Sequence, residues 1–202
     1  MISLEYLLSA MIVILVPGTG VIYTISIALL NTRVQILYAA LGCTLSIFPH
    51  LFAAIFGVAA ILNSSVLVFN GLKLFGVVYL LYMAYNLYKD KGVLEFKGED
   101  INTSNFTILK NGFLINVFNP KLSIFFLAFI PQFISPLTQE PIIDMTVLGF
   151  VFMILTLIVF VVYGLFASLI KQKVSQSKKI MKNMQKCFSA VFVLLAYKLA
   201  NV

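Results

Sequence analysis

Two polar interruptions inside long apolar stretches are the places where this chain could bind a polar molecule. A proline inside a helix removes one backbone hydrogen bond and clashes with the preceding turn, and an adjacent glycine loosens the backbone further. Free backbone groups are costly in hydrocarbon, so they persist only where they face protein, water or a ligand. The interruptions could therefore present amides and carbonyls to a bound molecule, or could be kinks that aid packing. They consist of Pro17, Gly18, Thr19 and Gly20 in the first case and of Asn119, Pro120 and Lys121 in the second.

The lysine of the second interruption lies deep inside its apolar stretch. Because the side chain cannot easily reach water from there, the ammonium of Lys121 needs a carboxylate, a carbonyl or a water molecule nearby. A zwitterionic substrate would supply the carboxylate. Carbonyls freed by Pro120 are an equal alternative.

The only histidine, His50, follows Pro49 near the middle of another apolar stretch. An imidazole titrates near neutral pH and could carry protons, although a hydrogen-bonded core histidine is the more common role. Carboxylates are absent from the interior of the apolar stretches, since no Asp or Glu lies between Glu5 and Asp90 or between Asp100 and Glu140. We therefore keep His50 as the candidate for proton coupling. The same absence argues against a metal site or a carboxylate-based hydrolase, and we predict no catalytic residue, no metal and no cofactor.

The composition places these residues in a membrane protein. Hydrophobic residues make up 61% of the chain, charged residues 10%, and the mean hydropathy is +1.05. Soluble domains carry about 25% charged residues, which excludes an ordinary soluble enzyme, a disordered segment and a disulfide scaffold. Helices of roughly 20 apolar residues span a bilayer. We predict an all-α integral membrane protein with six transmembrane helices, in a single domain over residues 1–202.

The distribution of charge predicts the topology. Most Lys and Arg residues lie between the first and second, third and fourth, and fifth and sixth apolar stretches. Cytoplasmic loops collect basic residues, so both termini are predicted outside. The net charge of +7 then needs no nucleic-acid partner. The six predicted spans cover residues 6–30, 35–62, 66–88, 112–134, 145–170 and 187–202.

The two halves of the chain resemble each other. Spans one and four each contain a proline break, and Lys73 and Lys186 open similar motifs in spans three and six. Each half has an odd number of spans, so the halves must be inverted relative to each other. Inverted repeats with matching broken helices are typical of secondary transporters. We predict a first repeat over about 1–88, a cytoplasmic loop over about 89–110 and a second repeat over about 111–202.

These motifs resemble those of the lysine exporter and homoserine/threonine resistance (LysE/RhtB) family over nearly the whole chain. Thr19 replaces the second proline of the family's Pro-Gly-Pro segment, and Ser46 and Ser189 stand where glycines are usual. The likeness rests on a K-x-x-G-x-x-Y-L segment (Lys73, Gly76, Tyr79, Leu80), an N-x-x-N-P-K segment (Asn116, Asn119, Pro120, Lys121) and an F-x-P-Q-F segment (Phe129, Pro131, Gln132, Phe133).

The resemblance implies a secondary-active exporter of amino acids or their derivatives in the bacterial inner membrane, coupled to protons. We expect the substrate near the midplane between spans one and four, with one half moving against the other. Thr19 and the backbone around Pro17 would bind one end of the substrate. Asn119 and Lys121 would bind its carboxylate, and His50 would handle protons.

Small residues predict packing faces, which serve contacts within the chain as well as between copies, so a homo-oligomer stays open. The expected partners are an amino acid and the lipid bilayer. The residues assigned to packing are Gly42, Gly76, Tyr79 and Gly112.

Two alternative functions differ from amino acid export in their chemistry. A membrane-embedded thiol or redox protein would use Cys43 and Cys187, which are far apart and form no CxxC pair. A cation exporter is disfavoured by the missing carboxylates. The sequence does not name the transported amino acid.

Overall fold

The computed structural model describes residues 2–16, 18–62, 103–135 and 138–169, together with isolated positions within 71–89 and 186–200. In these residues every regular element is helical and no strand is present. Two helices are long and apolar enough to cross a membrane, and up to four spans result if each of two bent pairs counts as one. The all-helical class is confirmed. The arrangement of six spans stays a prediction.

The first span is a broken helix. α1 (Leu4–Leu15) begins after Ser3, whose side chain accepts a hydrogen bond from a first-turn amide. α2 (Thr19–Leu30) is bent by 54° relative to α1. The break falls where the sequence predicts it, because the proline at position 17 has no N–H to continue the helix. Gly18 then enters α2 in an extended conformation, whereas residue 17 itself lies outside the described residues.

The second span is almost continuous. α3 (Arg33–Leu45) starts with a capping box, in which the side chains of Thr32 and Gln35 each accept a hydrogen bond from the other residue's amide. α4 (Ile47–Leu62) follows after a single turn at Ser46. The combined helix is long and apolar enough to cross a membrane without a bend.

The segment predicted as the fourth span contains the second broken helix. The chain bends by 57° between α5 (Asn105–Val117) and the segment Lys121–Phe133. A π-helical turn follows the break, and such turns occur frequently at functional sites. The elements after the break are α6 (Pro120–Ile124), the π-helical turn (Phe125–Phe129) and a 3-10 turn (Ile130–Phe133).

α5 begins earlier than the sequence predicts. The charge pattern extends the cytoplasmic loop to about residue 110, but the helix starts at Asn105. Ser104 caps it, because its hydroxyl accepts a hydrogen bond from the Thr107 amide. Lys110 is an exposed residue of this helix. Its charge therefore belongs to a helix and not to a loop, a distinction that charge counting does not make.

Glycines let three helices approach one another closely. A Cβ at Gly42 would collide with the backbone of Leu109, and a Cβ at Gly112 would lie 3.0 Å from a carbonyl oxygen of α3. The backbones of α3 and α5 are therefore in contact. α7 (Pro141–Leu169) also packs on α3, where a Cβ at Gly164 would collide with an isoleucine side chain. This packing holds the fourth span against the second and positions its break.

One contact joins the regions predicted as spans three and six. The hydroxyl of Ser189 donates a hydrogen bond to the carbonyl of Ala84 over 2.7 Å, and both residues are buried. The described positions around them are helical. The serine that replaces a usual family glycine thus ties the two regions together.

Candidate functional site

The buried Lys121 links the two broken spans. Its side chain is 7% exposed, and its Nζ donates hydrogen bonds to the carbonyls of Val13 over 3.1 Å and Val16 over 2.8 Å. Both acceptors belong to the C-terminal end of α1 and its cap. Lys121, at the second break, therefore supplies hydrogen-bond donors to the C-terminal end of α1, at the first break.

Helix geometry explains why the Val13 carbonyl is available to Lys121. In a continuous helix the Val13 carbonyl would accept from the amide of residue 17, but proline has no amide proton. Lys121 supplies the missing donor. The sequence left open a substrate carboxylate or carbonyls freed by Pro120 as its partner. The structure provides carbonyls, but from the other break and not from the turn at Pro120, and a substrate carboxylate stays a prediction.

Two asparagines extend this network to the second span. Asn119 Nδ2 donates to Asn116 Oδ1 over 3.0 Å, and Asn119 Oδ1 accepts from the Lys121 amide over 3.1 Å, which caps α6. Asn116 Nδ2 in turn donates to the Cys43 carbonyl and to Ser46 Oγ, over 2.8 and 2.9 Å. Both asparagines are buried. Their side chains fix the geometry of the second break.

The N-terminus of α2 faces these donors. No side chain caps this helix, and the first amides of an α-helix have no acceptor within it. A Cβ at Gly18 would lie 3.1 Å from Lys121 Nζ and 3.2 Å from Asn119 Nδ2. A Cβ at Gly20 would lie 2.7 Å from Asn116 Oδ1. The two glycines therefore allow the helix end, with its positive dipole, to approach the polar groups of span four.

A small pocket lies between these elements. Its cavity volume is about 10 Å³, which is roughly the space that one water molecule needs. Among its described lining residues, Lys121 carries the single charge, and α7 contributes an apolar wall with one hydroxyl. A helix N-terminus, an ammonium and an amide in one place are suited to binding an anion. The lining residues are Val13, Ile14, Gly18, Gly20, Val21, Asn116, Asn119, Lys121, Leu122, Phe152, Thr156 and Phe160.

His50 lies next to this pocket and does not line it. Its Nε2 is 3.4 Å from the Asn116 carbonyl and its Nδ1 is 3.2 Å from Ser123 Oγ. The ring also lies near Phe126, with 6.4 Å between centroids. All three neighbours belong to the fourth span. His50 therefore contacts the second break through the backbone carbonyl of Asn116, whose side chain lines the pocket.

Sequence comparisons decide the family. The model of the LysE type translocator family matches residues 11–201. The chain belongs to this family. The resemblance inferred from the motifs is confirmed, and the translocator is a membrane protein of a bacterial family.

Individual relatives of the translocator cover almost its whole length. A protein described as an uncharacterized membrane protein of Vibrio cholerae is 30% identical over 94% of this chain and 92% of its own. The homoserine/homoserine lactone efflux protein of Salmonella typhimurium is 26% identical over 97% and 94%. The leucine efflux protein of Klebsiella pneumoniae is 25% identical over 98% and 94%. No solved structure matches the translocator.

The translocator brings together part of the residue set predicted for the substrate. Four of these residues line the pocket, whereas Thr19 is exposed and its hydroxyl lies 3.5 Å from the Ile115 carbonyl. Pro120 begins α6. Pro17, Gly76, Tyr79 and Cys187 lie outside the described residues. The four pocket residues are Gly18, Gly20, Asn119 and Lys121.

The residues of the two alternatives are also located. The thiol of Cys43 is buried and lies 3.7 and 3.5 Å from the carbonyls of Gly20 and Gly112. It fills the contact between α2, α3 and α5. In the described part of the chain, no group of three or more His, Cys, Asp or Glu side chains is placed to hold a metal ion.

Sequence reasoning missed two polar residues of the site. Asn116 had a signal, because it is an uncharged polar residue inside an apolar stretch and opens the N-x-x-N-P-K motif. The sequence contains no such signal for Thr156, because threonines occur throughout apolar helices and donate hydrogen bonds to carbonyls of their own helix. Its position in the pocket depends on how α7 packs.

Proposed function

We propose that the translocator is a secondary-active efflux carrier for amino acids or their derivatives. The observation that carries the proposal is the position of Lys121. A buried ammonium borders a pocket beside the uncapped N-terminus of α2, and its partners among the described residues are carbonyls and no carboxylate. The printed names of the homoserine and leucine efflux relatives support the same class of substrate.

The carboxylate of the substrate would bind at this end of the pocket. An ammonium has three donors, and Lys121 uses two of them on α1 carbonyls. An amide side chain has two donors, and Asn119 uses one on its neighbour. The remaining proton of each group, with the free amides of α2, can satisfy a carboxylate. Broken transporter helices use their N-termini in this way.

The amino group of the substrate would then lie near Asn116. Its Oδ1 accepts one hydrogen bond from Asn119 and retains a second acceptor site. The close approach of this oxygen to Gly20 places it at the pocket wall. A donor set for the carboxylate and an acceptor for the ammonium are what a zwitterion requires.

Proton coupling is proposed for His50. Its ring contacts the backbone of Asn116, so a change in its charge would act on the second break. Because secondary transporters move inverted repeats against each other, we also propose two three-helix halves in the inner membrane, with both termini outside. The similar bends of the two broken spans support this arrangement.

An efflux assay tests the proposal. Cells lacking their own amino acid exporters are loaded with dipeptides, and each amino acid is followed in the medium with and without a protonophore. We expect faster release of one group of amino acids, abolished by the protonophore. Failure to release any amino acid, with the protein present in the membrane, would reject the proposal.

Two lysine variants, one in the pocket and one outside it, make the efflux assay specific for the site. Lys121→Met should reduce efflux roughly 10- to 100-fold, because a charge-assisted hydrogen bond to the carboxylate is lost. Lys110→Met is the control, since Lys110 is an exposed lysine of α5 outside the pocket. Equal efflux by the two variants, at equal amounts in the membrane, would contradict the role of Lys121.

A further inference from the structure

The pocket has two chemically different parts. Its amide and ammonium side chains, Asn116, Asn119 and Lys121, come from the break of the fourth span. α7 instead contributes Phe152 and Phe160, one helical turn before and one after Thr156. If the polar part holds the carboxylate and amino group, the wall formed by α7 is left to contact the substrate's side chain. This step rests on the proposed function.

Thr156 brings the only hydroxyl among the residues that line the pocket in the described part of the chain. The residue is 2% exposed, and its Oγ1 donates a hydrogen bond to the Phe152 carbonyl over 2.7 Å. This bond uses the single proton of the hydroxyl and fixes its rotation. The oxygen keeps lone pairs, so it can accept a hydrogen bond but cannot donate a second one.

The lining also restricts the charge of the substrate's side chain. Among the described residues that line the pocket there is no carboxylate, and their single charged group is the cation of Lys121. A lysine or arginine side chain would lose its hydration there without gaining a counter-ion, and it would share the pocket with the Lys121 ammonium. A neutral side chain avoids both costs.

We propose that Thr156 is the specificity-determining residue of the efflux pocket. It selects a neutral amino acid whose side chain carries a hydroxyl over the isostere that carries a methyl group in the same place. The substrate hydroxyl donates to Thr156 Oγ1, whereas a methyl group leaves that oxygen without a donor from the substrate. One such hydrogen bond changes the preference about 3- to 10-fold.

Competition between isosteres tests this proposal. Export of threonine against valine, and of homoserine against norvaline, is measured as a ratio in cells loaded with equal amounts of each pair. The wild-type protein should prefer the hydroxylated member and should export lysine more slowly than either. Thr156→Val should lower both ratios about 3- to 10-fold while valine export continues.

A second threonine of the same helix provides a matched control. Thr146 donates to the Ile142 carbonyl over 2.7 Å, the same bond that Thr156 makes, but it does not line the pocket. Thr146→Val should leave both ratios unchanged. If Thr156→Val fails to accumulate, Thr156→Ser and Thr156→Ala measure the same quantity, because serine keeps the hydroxyl and alanine removes it.

The outcomes separate this inference from the proposed function. Unchanged ratios in Thr156→Val or Thr156→Ala, with export still active, overturn the role of Thr156 alone. Wild-type export of lysine as fast as threonine overturns the neutral-substrate part. Absence of export for every amino acid, already in the wild-type protein, instead rejects the efflux function and this inference with it.

Discussion

The two broken spans bend by 54° and 57°, yet they satisfy their open backbone groups in different ways. The second break is capped locally, since Asn119 accepts from the amide of Lys121 two residues further on. The first break has no such cap at the start of α2, and the end of α1 depends on Lys121 from the other span. Backbone amides thus remain open to the pocket at the first break, while the second break supplies the side chains.

This difference assigns complementary roles to two similar elements. A repeat could place the same chemistry twice, but here one break provides a helix N-terminus and the other an ammonium with two amides. In the proposed binding mode, both sets donate hydrogen bonds to the carboxylate of the substrate. The site exists only where the two breaks meet.

The broadest loss of transport, comparable to that of Lys121→Met, is expected from filling the space between the breaks. Gly18→Val places methyl groups where even a Cβ lies 3.1 Å from Lys121 Nζ, so efflux should fall about tenfold or more. Transport by cells with equal amounts of protein in the membrane is the measurement. Gly57→Val is the control, because a Cβ there meets, among the described residues, a leucine side chain at 3.5 Å. Normal efflux by Gly18→Val would show that the breaks do not form one site.

A more selective effect is expected at the histidine that contacts the second break. His50→Gln keeps hydrogen-bonding groups but cannot take up a proton, so downhill exchange of substrate should continue while efflux driven by a pH gradient is lost. Proteoliposomes with an imposed pH gradient measure both activities. Ser123→Ala, which removes one hydrogen-bond partner of the ring, should retain gradient-driven efflux. Gradient-driven efflux in His50→Gln equal to that of the wild-type protein would refute the coupling role.

The smallest effect concerns the local cap of the second break. Asn119→Ala should lower the free energy of unfolding by about 1 kcal/mol, the usual cost of losing an N-cap. It should also reduce efflux, because the cap residue lines the pocket. Ser3→Ala removes the cap of α1 outside the pocket and should lower the midpoint of thermal unfolding in detergent without changing efflux. Equal efflux in the two variants would limit Asn119 to a structural role.

The sequence predicts much of the fold because its signals are local. Proline at position 17 and the Asn119-Pro120 pair mark both breaks, since a missing N–H acts on the helix in any surroundings. Apolar length predicts the spans for the same reason. The start of α5 was predicted too late, because the charge of Lys110 is equally compatible with a loop and with the exposed face of a helix.

The sequence by itself determined the family, the membrane-helix character and the positions of the two breaks, all of which depend on covalent chemistry or on runs of neighbouring residues. Only the tertiary structure decided which groups meet. Lys121 reaches the carbonyls of α1 across more than a hundred residues of chain, and Thr156 borders the pocket because α7 packs there. An apolar helix is similar on every side in sequence, so the face that it turns to its neighbours is settled by close packing.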